Sequence, residues 1–506
     1  MGPSQRRRLA VYTGLFVSGT LSLRASPARA YEARVRADYE AQFYGVQSPF
    51  GSPDVLRRRH TAALGLEIDD LAGLGERGPR LEFKAHLRLD ADFGQTAAER
   101  DPSSNRFVPG LEQAPLDVMY AYFDAEGLFS GVLGLRVGRQ LTIDALGFWL
   151  FDGARLRLTL PLGLELGGFA GFEPRPGLPL LATSRYLGDG VRRGNRDALE
   201  ANAEPSFLDE SRLAPAAGAF LAARGLGPLS ASVVYRRIEN RSRVRLSPYA
   251  ASPSELPRTF GESRISSERL GSAARLDWTG VGSASGTANY DLYLRQWNEL
   301  ALELAALPAS SLRVGAEVRR TRPSFDGDSI FNWFAQGASG QALGRLGYSP
   351  FRALDTNFSW GVHWFETDGD PGAAESDPTR AADRGGHNLV GSLSGRLRLS
   401  QSELTLAALA EAGERGHLAG ADLGLRSRFG GGLYDSLVLL SLYDWADPLR
   451  SERDATSFSY VLGTGLFSGS GLFSQSRVGL EWEHTVNRLV SQRFRVLATL
   501  ELGVFR

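Results

Sequence analysis

The chain contains no cysteine and only two methionines among its 506 residues. Without cysteine it can form neither a disulfide nor a thiolate metal site, and it cannot carry the N-terminal lipid of a bacterial lipoprotein. Lysine is almost as rare: Lys84 is the only one, so arginine supplies nearly all of the positive charge. This bias fits a GC-rich genome as well as it fits a function of the arginines.

Long apolar runs are also missing, with one exception at the N-terminus. Arg6, Arg7 and Arg8 precede the apolar run Leu9–Leu23, and Ala28–Ala30 has the spacing of small residues at a cleavage site. The run is shorter than the roughly 20 residues of a comfortable membrane span. We therefore predict a signal peptide over residues 1–30, the alternative being an N-terminal anchor helix.

The charge balance argues against binding to nucleic acid. Cleavage near Tyr31 would remove five arginines and no acidic residue, which leaves 52 basic against 57 acidic residues and a formal charge of −5. Nucleic-acid-binding domains are basic instead. The slightly negative mean hydropathy also excludes a bundle of membrane helices.

The main signal is a period of two in hydrophobicity. From Tyr31 to Phe43 the odd positions are apolar or aromatic and the even positions are polar, mostly charged, and Arg80–Phe93 repeats this pattern. Alternate side chains of a strand point to opposite faces, so each segment predicts a strand with one apolar and one polar face. The alternation recurs over His60–Ile68, Ala154–Leu160, Leu164–Phe172, Ala284–Leu294, Leu312–Val318, Phe358–Trp364, Leu389–Leu399, Leu404–Ala412, Ser476–Trp482 and Phe494–Val504.

The strand lengths and connections are typical of membrane barrels. Segments of ten or more residues match the 9–11 that a tilted strand needs to cross a bilayer and exceed the usual length in soluble sheets. Long connections such as Gly45–Leu56 alternate with short ones such as Ala72–Pro79. Outer-membrane barrels show this asymmetry, with short turns in the periplasm. The count reaches about 22 segments, and the weak segments Asn298–Ala306 and Ala342–Tyr348 leave a range of 18 to 22.

We predict an all-β protein in which residues 31–506 form a single closed antiparallel transmembrane β-barrel in the outer membrane of a Gram-negative bacterium. A soluble β-sandwich would have shorter strands, and a β-helix or propeller would show a repeat of fixed length. Expected partners are outer-membrane lipid and the barrel assembly machinery, which would read Leu500, Leu502, Val504 and Phe505. We expect no cofactor, no metal and no nucleic acid.

The polar strand faces should line the lumen. By strand parity they carry Arg34, Arg36, Arg88, Arg155, Arg157, Arg295, Arg313, Arg396, Arg398, Arg426 and Arg495, together with Glu32, Asp38, Glu82, Asp90, Asp117, Glu165, Asp291, Glu317, Glu481 and Glu483. Two interpretations stay open. The charges can form ion pairs that stiffen a wide barrel, or the arginines can hold passing carboxylates, phosphates or sulfates.

Several other features have plain explanations. Gly73–Gly78 matches GxGxxG, but it lies in a turn between two strands and lacks the helix that a dinucleotide site needs. Aromatic residues near strand ends predict interfacial girdles, with a minority facing the lumen: Tyr120, Tyr122, Trp278, Trp297, Trp360, Trp364, Tyr460 and Trp482. His86 could act as an acid–base group in a barrel hydrolase, but a solvated wall residue is the commoner case.

One pair of segments resembles the alginate-export family of outer-membrane barrels. Leu135–Gln140 ends in Gly-Arg-Gln, and Phe151–Leu156 begins with Phe-Asp-Gly. The resemblance implies 18 strands and an arginine-lined pore for an anionic polysaccharide, and it makes Arg139, Gln140, Asp152 and Arg155 candidate constriction residues. Related porins share the Gly-Arg-Gln motif.

We therefore expect no enzyme but a channel that passes an anionic polysaccharide or a similar hydrophilic polymer, with periplasmic polysaccharide-export components as partners. The alternative is a diffusion porin for small hydrophilic solutes, and a barrel enzyme is a third hypothesis. The long loop Pro174–Leu213 could fold into the lumen or cover it.

Overall fold

The computed structural model describes residues 32–47, 55–71, 78–92, 116–174, 213–240, 264–323, 337–366, 385–447, 452–467, 476–487 and 492–505. The predicted signal peptide over residues 1–30, the GxGxxG turn up to residue 77 and the interior of the loop at 174–213 lie outside these segments. Within them, no helix has the length and apolar character needed to cross a membrane.

Twenty-two strands follow one another along the chain. They are β1 (Glu32–Gln47), β2 (Val55–Asp69), β3 (Arg80–Asp92), β4 (Leu116–Gly127), β5 (Leu133–Asp144), β6 (Gly147–Leu160), β7 (Leu164–Pro174), β8 (Leu213–Leu226), β9 (Leu229–Asn240), β10 (Arg264–Trp278), β11 (Gly282–Asp291), β12 (Gln296–Ala309), β13 (Leu312–Thr321), β14 (Ser339–Phe351), β15 (Leu354–Phe365), β16 (Gly386–Arg398), β17 (Ser402–Gly413), β18 (Gly416–Phe429), β19 (Tyr434–Asp447), β20 (Glu452–Phe467), β21 (Arg477–Asn487) and β22 (Gln492–Phe505).

The sheet closes on itself. Each strand pairs antiparallel with the next, and β1 pairs with both β2 and β22, so that Tyr39 lies between Ala62 and Leu500. Closure removes the unpaired edges that lipid cannot satisfy. The count of about 22 strands is confirmed, including the two weak segments, which are β12 and β14. The 18 strands that the family resemblance implied are wrong.

The two faces of the wall differ as the alternation predicted. Val314, Leu346, Phe358 and Leu393 are successive register partners on β13 to β16, and all four are exposed. The adjacent row begins with Arg313 and is polar. A closed barrel with an apolar outer face and a charged interior is the architecture of outer-membrane proteins, so the predicted location in the outer membrane is confirmed.

The two ends of the barrel also differ. Short turns at Leu128–Gly131, Pro161–Gly163 and Gly430–Gly432 lie at the same end as both termini of the sheet. In outer-membrane barrels this is the periplasmic end.

Candidate functional site

The hairpin formed by β5 and β6 leaves the barrel wall before it reaches its tip. The ladder between β4 and β5 ends at the pair Ala121–Arg139, and the ladder between β6 and β7 ends at Asp152–Phe172. β5 and β6 nevertheless stay paired to each other as far as Asp144–Gly147. Residues 140–151 therefore form a two-stranded arm that is not paired with any other strand of the wall. We call this arm the lumenal hairpin.

A pair of glycines lies where this arm departs. Gly138 and Gly153 are cross-strand partners on β5 and β6. Gly138 has φ +128°, and a Cβ there would lie 2.8 Å from Cα of Tyr122 and nearer still to the carbonyl oxygen of Ala121. The backbone of β4 lies too close to this position to leave room for a side chain. Glycine therefore permits the tight bend that turns the hairpin out of the wall.

The tip of the hairpin lies against the inner face of the strands that follow it. A Cβ at Gly271 of β10 would lie 2.7 Å from Cδ2 of Leu146, so the leucine is seated on this glycine. The indole nitrogen of Trp149 donates a hydrogen bond of 2.8 Å to Oε1 of Glu173, and the guanidinium of Arg236 lies 4.8 Å above the indole ring. The hairpin thus spans part of the lumen from β6 towards β10.

Apolar packing fixes the hairpin there. Phe151 is only 1% exposed and stacks on Trp149, with ring centroids 4.7 Å apart. Phe169 of β7 contacts both rings. The buried cluster comprises Leu146, Trp149, Phe151, Phe169, Ala214, Ala216, Phe220, Val234 and Ile238. Burying each large side chain contributes about 1.5–3 kcal/mol, so this cluster inside the barrel can hold the arm in place.

The residues singled out by the family resemblance lie at the base of the hairpin. Arg139 forms a bidentate ion pair with Asp152, both N···O distances being 2.6 Å, and donates a third hydrogen bond of 3.2 Å to the carbonyl oxygen of Val118. That carbonyl lies beyond the end of the β4–β5 ladder, so the guanidinium takes the place of a missing strand partner.

Gln140 is fully buried, and its amide donates a hydrogen bond of 2.9 Å to the carbonyl oxygen of Gly153. It therefore presents no surface to a solute, and the Gly-Arg-Gln and Phe-Asp-Gly segments anchor the hairpin. Arg155 also lies inside, with its guanidinium 4.3 Å from the ring of Phe220.

Most of the other candidate arginines are paired with carboxylates. The pairs are Arg34–Glu32 at 2.6 Å, Arg36–Asp38 at 2.9 Å, Arg157–Glu126 at 2.6 Å, Arg396–Glu403 at 3.6 Å, Arg398–Asp355 at 2.9 Å and Arg426–Asp435 at 2.7 Å. Charge compensation by ion pairs, one of the two interpretations of the lumen charges, therefore describes these residues. The pairs of Arg34 and Arg36 lie within β1, and the other four join different strands.

Three further candidates complete the set. Arg88 is half-buried on β3, in register with Ala63 of β2. Arg313 is exposed and lines a recess in the wall. Arg295 was assigned to a strand face, and this assignment is wrong: β11 ends at Asp291, and Arg295 lies in the following turn with φ +57°.

Some aromatic residues lie inside the barrel instead of at its interfaces. Tyr120 and Tyr122 are register partners of His86 and Lys84, so they share the polar face. His86 stacks on Tyr120, with ring centroids 5.6 Å apart. Within the described segments, no group of three or more histidine or acidic side chains could hold a metal ion.

Sequence reasoning missed the lumenal cluster. The alternation fails over Phe148–Phe151, where four large apolar residues follow one another, and in the alanine-rich β8. Loss of alternation on neighbouring strands was the signal that an apolar surface also exists on the inner face.

A closed wall, an apolar outer face, a charged inner face and an arm folded into the lumen together define a transmembrane β-barrel of the porin type. Three solved structures are similar in fold. OccAB1 of Acinetobacter baumannii is 10% identical, with a TM-score of 0.44 and coverage of 94% of this chain and 96% of that one. The outer-membrane protein OpdK of Pseudomonas aeruginosa is 10% identical, with a TM-score of 0.43 and coverage of 94% of this chain and 99% of that one. A BenF-like porin of Pseudomonas fluorescens Pf-5 is 8% identical, with a TM-score of 0.41 and coverage of 94% of this chain and 99% of that one. No protein-family model and no curated protein matches the sequence.

Proposed function

We propose that the protein is a diffusion channel for small hydrophilic solutes, and that the lumenal hairpin forms its narrow part. The observation that carries this proposal is the fastening of the hairpin tip to β10 through Leu146 and Gly271. A hairpin held at both its base and its tip is a permanent obstruction that limits the size of a solute.

The dimensions of the barrel make such an obstruction necessary. A barrel of 22 strands encloses a lumen wider than side chains alone can fill. The lumenal hairpin contributes five cross-strand pairs beyond the Arg139–Asp152 pair. At about 3.4 Å per residue this arm is roughly 15 Å long, enough to restrict the opening.

The charges of the wall support passage of small solutes over that of an anionic polymer. A polyanion that threads the lumen would need a succession of cations free to exchange from one of its acidic groups to the next. Arg34, Arg36, Arg157, Arg398 and Arg426 instead have carboxylate partners within 3 Å. If the swelling test below shows that long anionic oligosaccharides pass the channel, export of a polysaccharide with periplasmic partners would be the better interpretation.

Swelling of proteoliposomes in neutral sugars of increasing size measures the limit directly. The wild-type protein should admit mono- and disaccharides and exclude longer oligosaccharides. Trp149→Ala should raise this limit, because it removes both the stacking on Phe151 and the hydrogen bond to Glu173.

Trp482→Ala is the matched control, since this tryptophan is exposed among apolar side chains of the outer face and should leave the size limit unchanged. Both variants are first checked for the heat-modifiable migration of a folded barrel. The proposal fails if no sugar enters the liposomes, or if long anionic oligosaccharides pass the wild-type channel as readily as disaccharides.

A further inference from the structure

We propose that a recess in the periplasmic half of the lumen, lined by β13 to β17, binds a small polyhydroxylated carboxylate, that is, a sugar acid. This inference rests on the proposed function and deepens it, because it names a class of solute that the channel would retain and pass. The recess has a volume of about 530 Å³, within the range of small-molecule sites.

The sheet register places the lining side chains in one row. Arg313 of β13 pairs with Gly347, Gly347 with Asn357, and Asn357 with Ser394. Direct register partners share a face of the sheet. The neighbouring row is the exposed apolar one that begins with Val314, so the row of Arg313 faces the lumen.

Gly347 makes the row concave. A Cβ at this position would lie 3.2 Å from Oδ1 of Asn357 and 3.5 Å from Cβ of Arg313. Because glycine has no side chain, the guanidinium of Arg313 and the amide of Asn357 border the same gap. Both groups can therefore contact one ligand.

The recess carries one uncompensated positive charge. Arg396 pairs with Glu403, and Arg398 pairs with Asp355 and Glu403, so these four charges balance. Arg313 is exposed and has no ion pair or hydrogen bond among the residues that the structure describes. Its fork of donors matches the geometry of a carboxylate, which indicates a ligand with a single negative charge.

The remaining lining favours hydroxyl groups over aromatic rings. Ser310, Ser311, Ser394, Thr405 and Asn357 line the recess, and its described lining contains no aromatic side chain. Hydroxyls and amides donate and accept hydrogen bonds, so they can exchange bonds with the several hydroxyls of a sugar acid. An aromatic carboxylate would satisfy Arg313 but would leave the polar groups facing its ring.

Single-channel recording with gluconate as the probe tests the site. Millimolar gluconate on the periplasmic side should reduce the current through the wild-type channel by transient block. Sorbitol has the hydroxyls without the charge, and benzoate has the charge without the hydroxyls. Each should require at least a tenfold higher concentration for the same block.

Arg313→Gln should weaken the gluconate block at least tenfold. The matched control is Arg275→Gln, because Arg275 is another exposed arginine near the periplasmic end of the wall but is paired with Asp277 at 2.6 Å. This control should keep the wild-type block. The proposal is overturned if gluconate does not block, if benzoate blocks equally well, or if both variants lose the block alike.

The outcomes separate this inference from the proposed function. Sugar-induced swelling without gluconate block would refute the recess and leave the diffusion channel standing. Absence of swelling would refute the diffusion channel, whatever gluconate does to the ionic current.

Discussion

Gly138 shows how much of the lumenal arrangement depends on single residues. Its φ of +128° is outside the range that side chains tolerate, and the bulk of a Cβ would meet the backbone of β4. Its cross-strand partner Gly153 is similarly crowded, by Cα of Gly171 at 2.8 Å from an added Cβ. The bend of the hairpin thus has a local cause in two glycines.

We therefore expect Gly138→Ala to disturb the hinge. Enforcing such a backbone conformation on alanine costs of order 1–3 kcal/mol, and the close approach to Tyr122 adds to this. The expected result is a lower temperature for loss of the folded form on heat-modifiability gels, together with a larger sugar limit in swelling assays.

Gly134→Ala is a suitable control on the same strand. It has no positive φ, and its added Cβ would meet the flexible end of Arg157, 3.3 Å from Nε, which can move aside. Equal effects of the two substitutions would show that the bend at Gly138 has no special role.

Residue identities in the lumen were partly predictable. Strand parity correctly places Arg313 and Arg396 on the polar face, because a regular strand has a fixed period of two. Parity is wrong for Arg295, since a strand end cannot be located from alternation alone. It also cannot show that the segment after Arg139 leaves the wall, because the departure depends on where the ladder to β4 ends.

At the scale of elements, the sequence predicts strands well and their environment less well. Alternation identifies two faces, and in β1 one face is charged while the other is apolar. In β8 and β9 the inner face is apolar too, at Ala214, Phe220 and Val234, because the hairpin covers it. The contact between the lumenal hairpin and β10 joins residues that are far apart in the sequence, and no pattern within a single strand indicates it. The lumenal cluster could therefore not be predicted from any one strand.

The position of the hairpin can be tested by crosslinking, since the chain has no cysteine of its own. Cγ of Leu146 lies 2.8 Å from the position of a Cβ on Gly271, close to where the sulfur of a cysteine at 146 would be. We expect the double variant Leu146→Cys, Gly271→Cys to form a disulfide on mild oxidation. Oxidation should leave the sugar limit unchanged, because it locks the native arrangement.

A second pair controls for random collisions. Gly315 of β13 also faces the lumen, but it lies further around the wall than β10. The variant Leu146→Cys, Gly315→Cys should stay reduced under the same conditions. Equal crosslinking of both pairs, measured by gel mobility with and without reductant, would mean that the hairpin is not docked on β10.

At the scale of the whole molecule, the residues that close the barrel differ from those that obstruct its lumen. The β4–β5 ladder ends at Arg139 and the β6–β7 ladder ends at Asp152, so residues 140–151 take no part in either ladder. These residues pair only with one another, as the outer part of the β5–β6 ladder. The wall is completed at the pairing of β1 with β22. The hairpin is therefore an addition to a barrel that is already closed.

Replacing residues 140–151 by a two-residue Asn-Gly turn between Arg139 and Asp152 should consequently preserve folding. An Asn-Gly turn has the twist that joins paired antiparallel strands, and Arg139 and Asp152 remain register partners. With roughly 15 Å of obstructing arm removed, conductance in planar bilayers should rise severalfold and larger sugars should enter liposomes. Phe169 and Phe220 would become exposed to water, so some loss of thermal stability is also expected.

A folded deletion variant with unchanged conductance would show that the passage is narrowed somewhere other than at the hairpin.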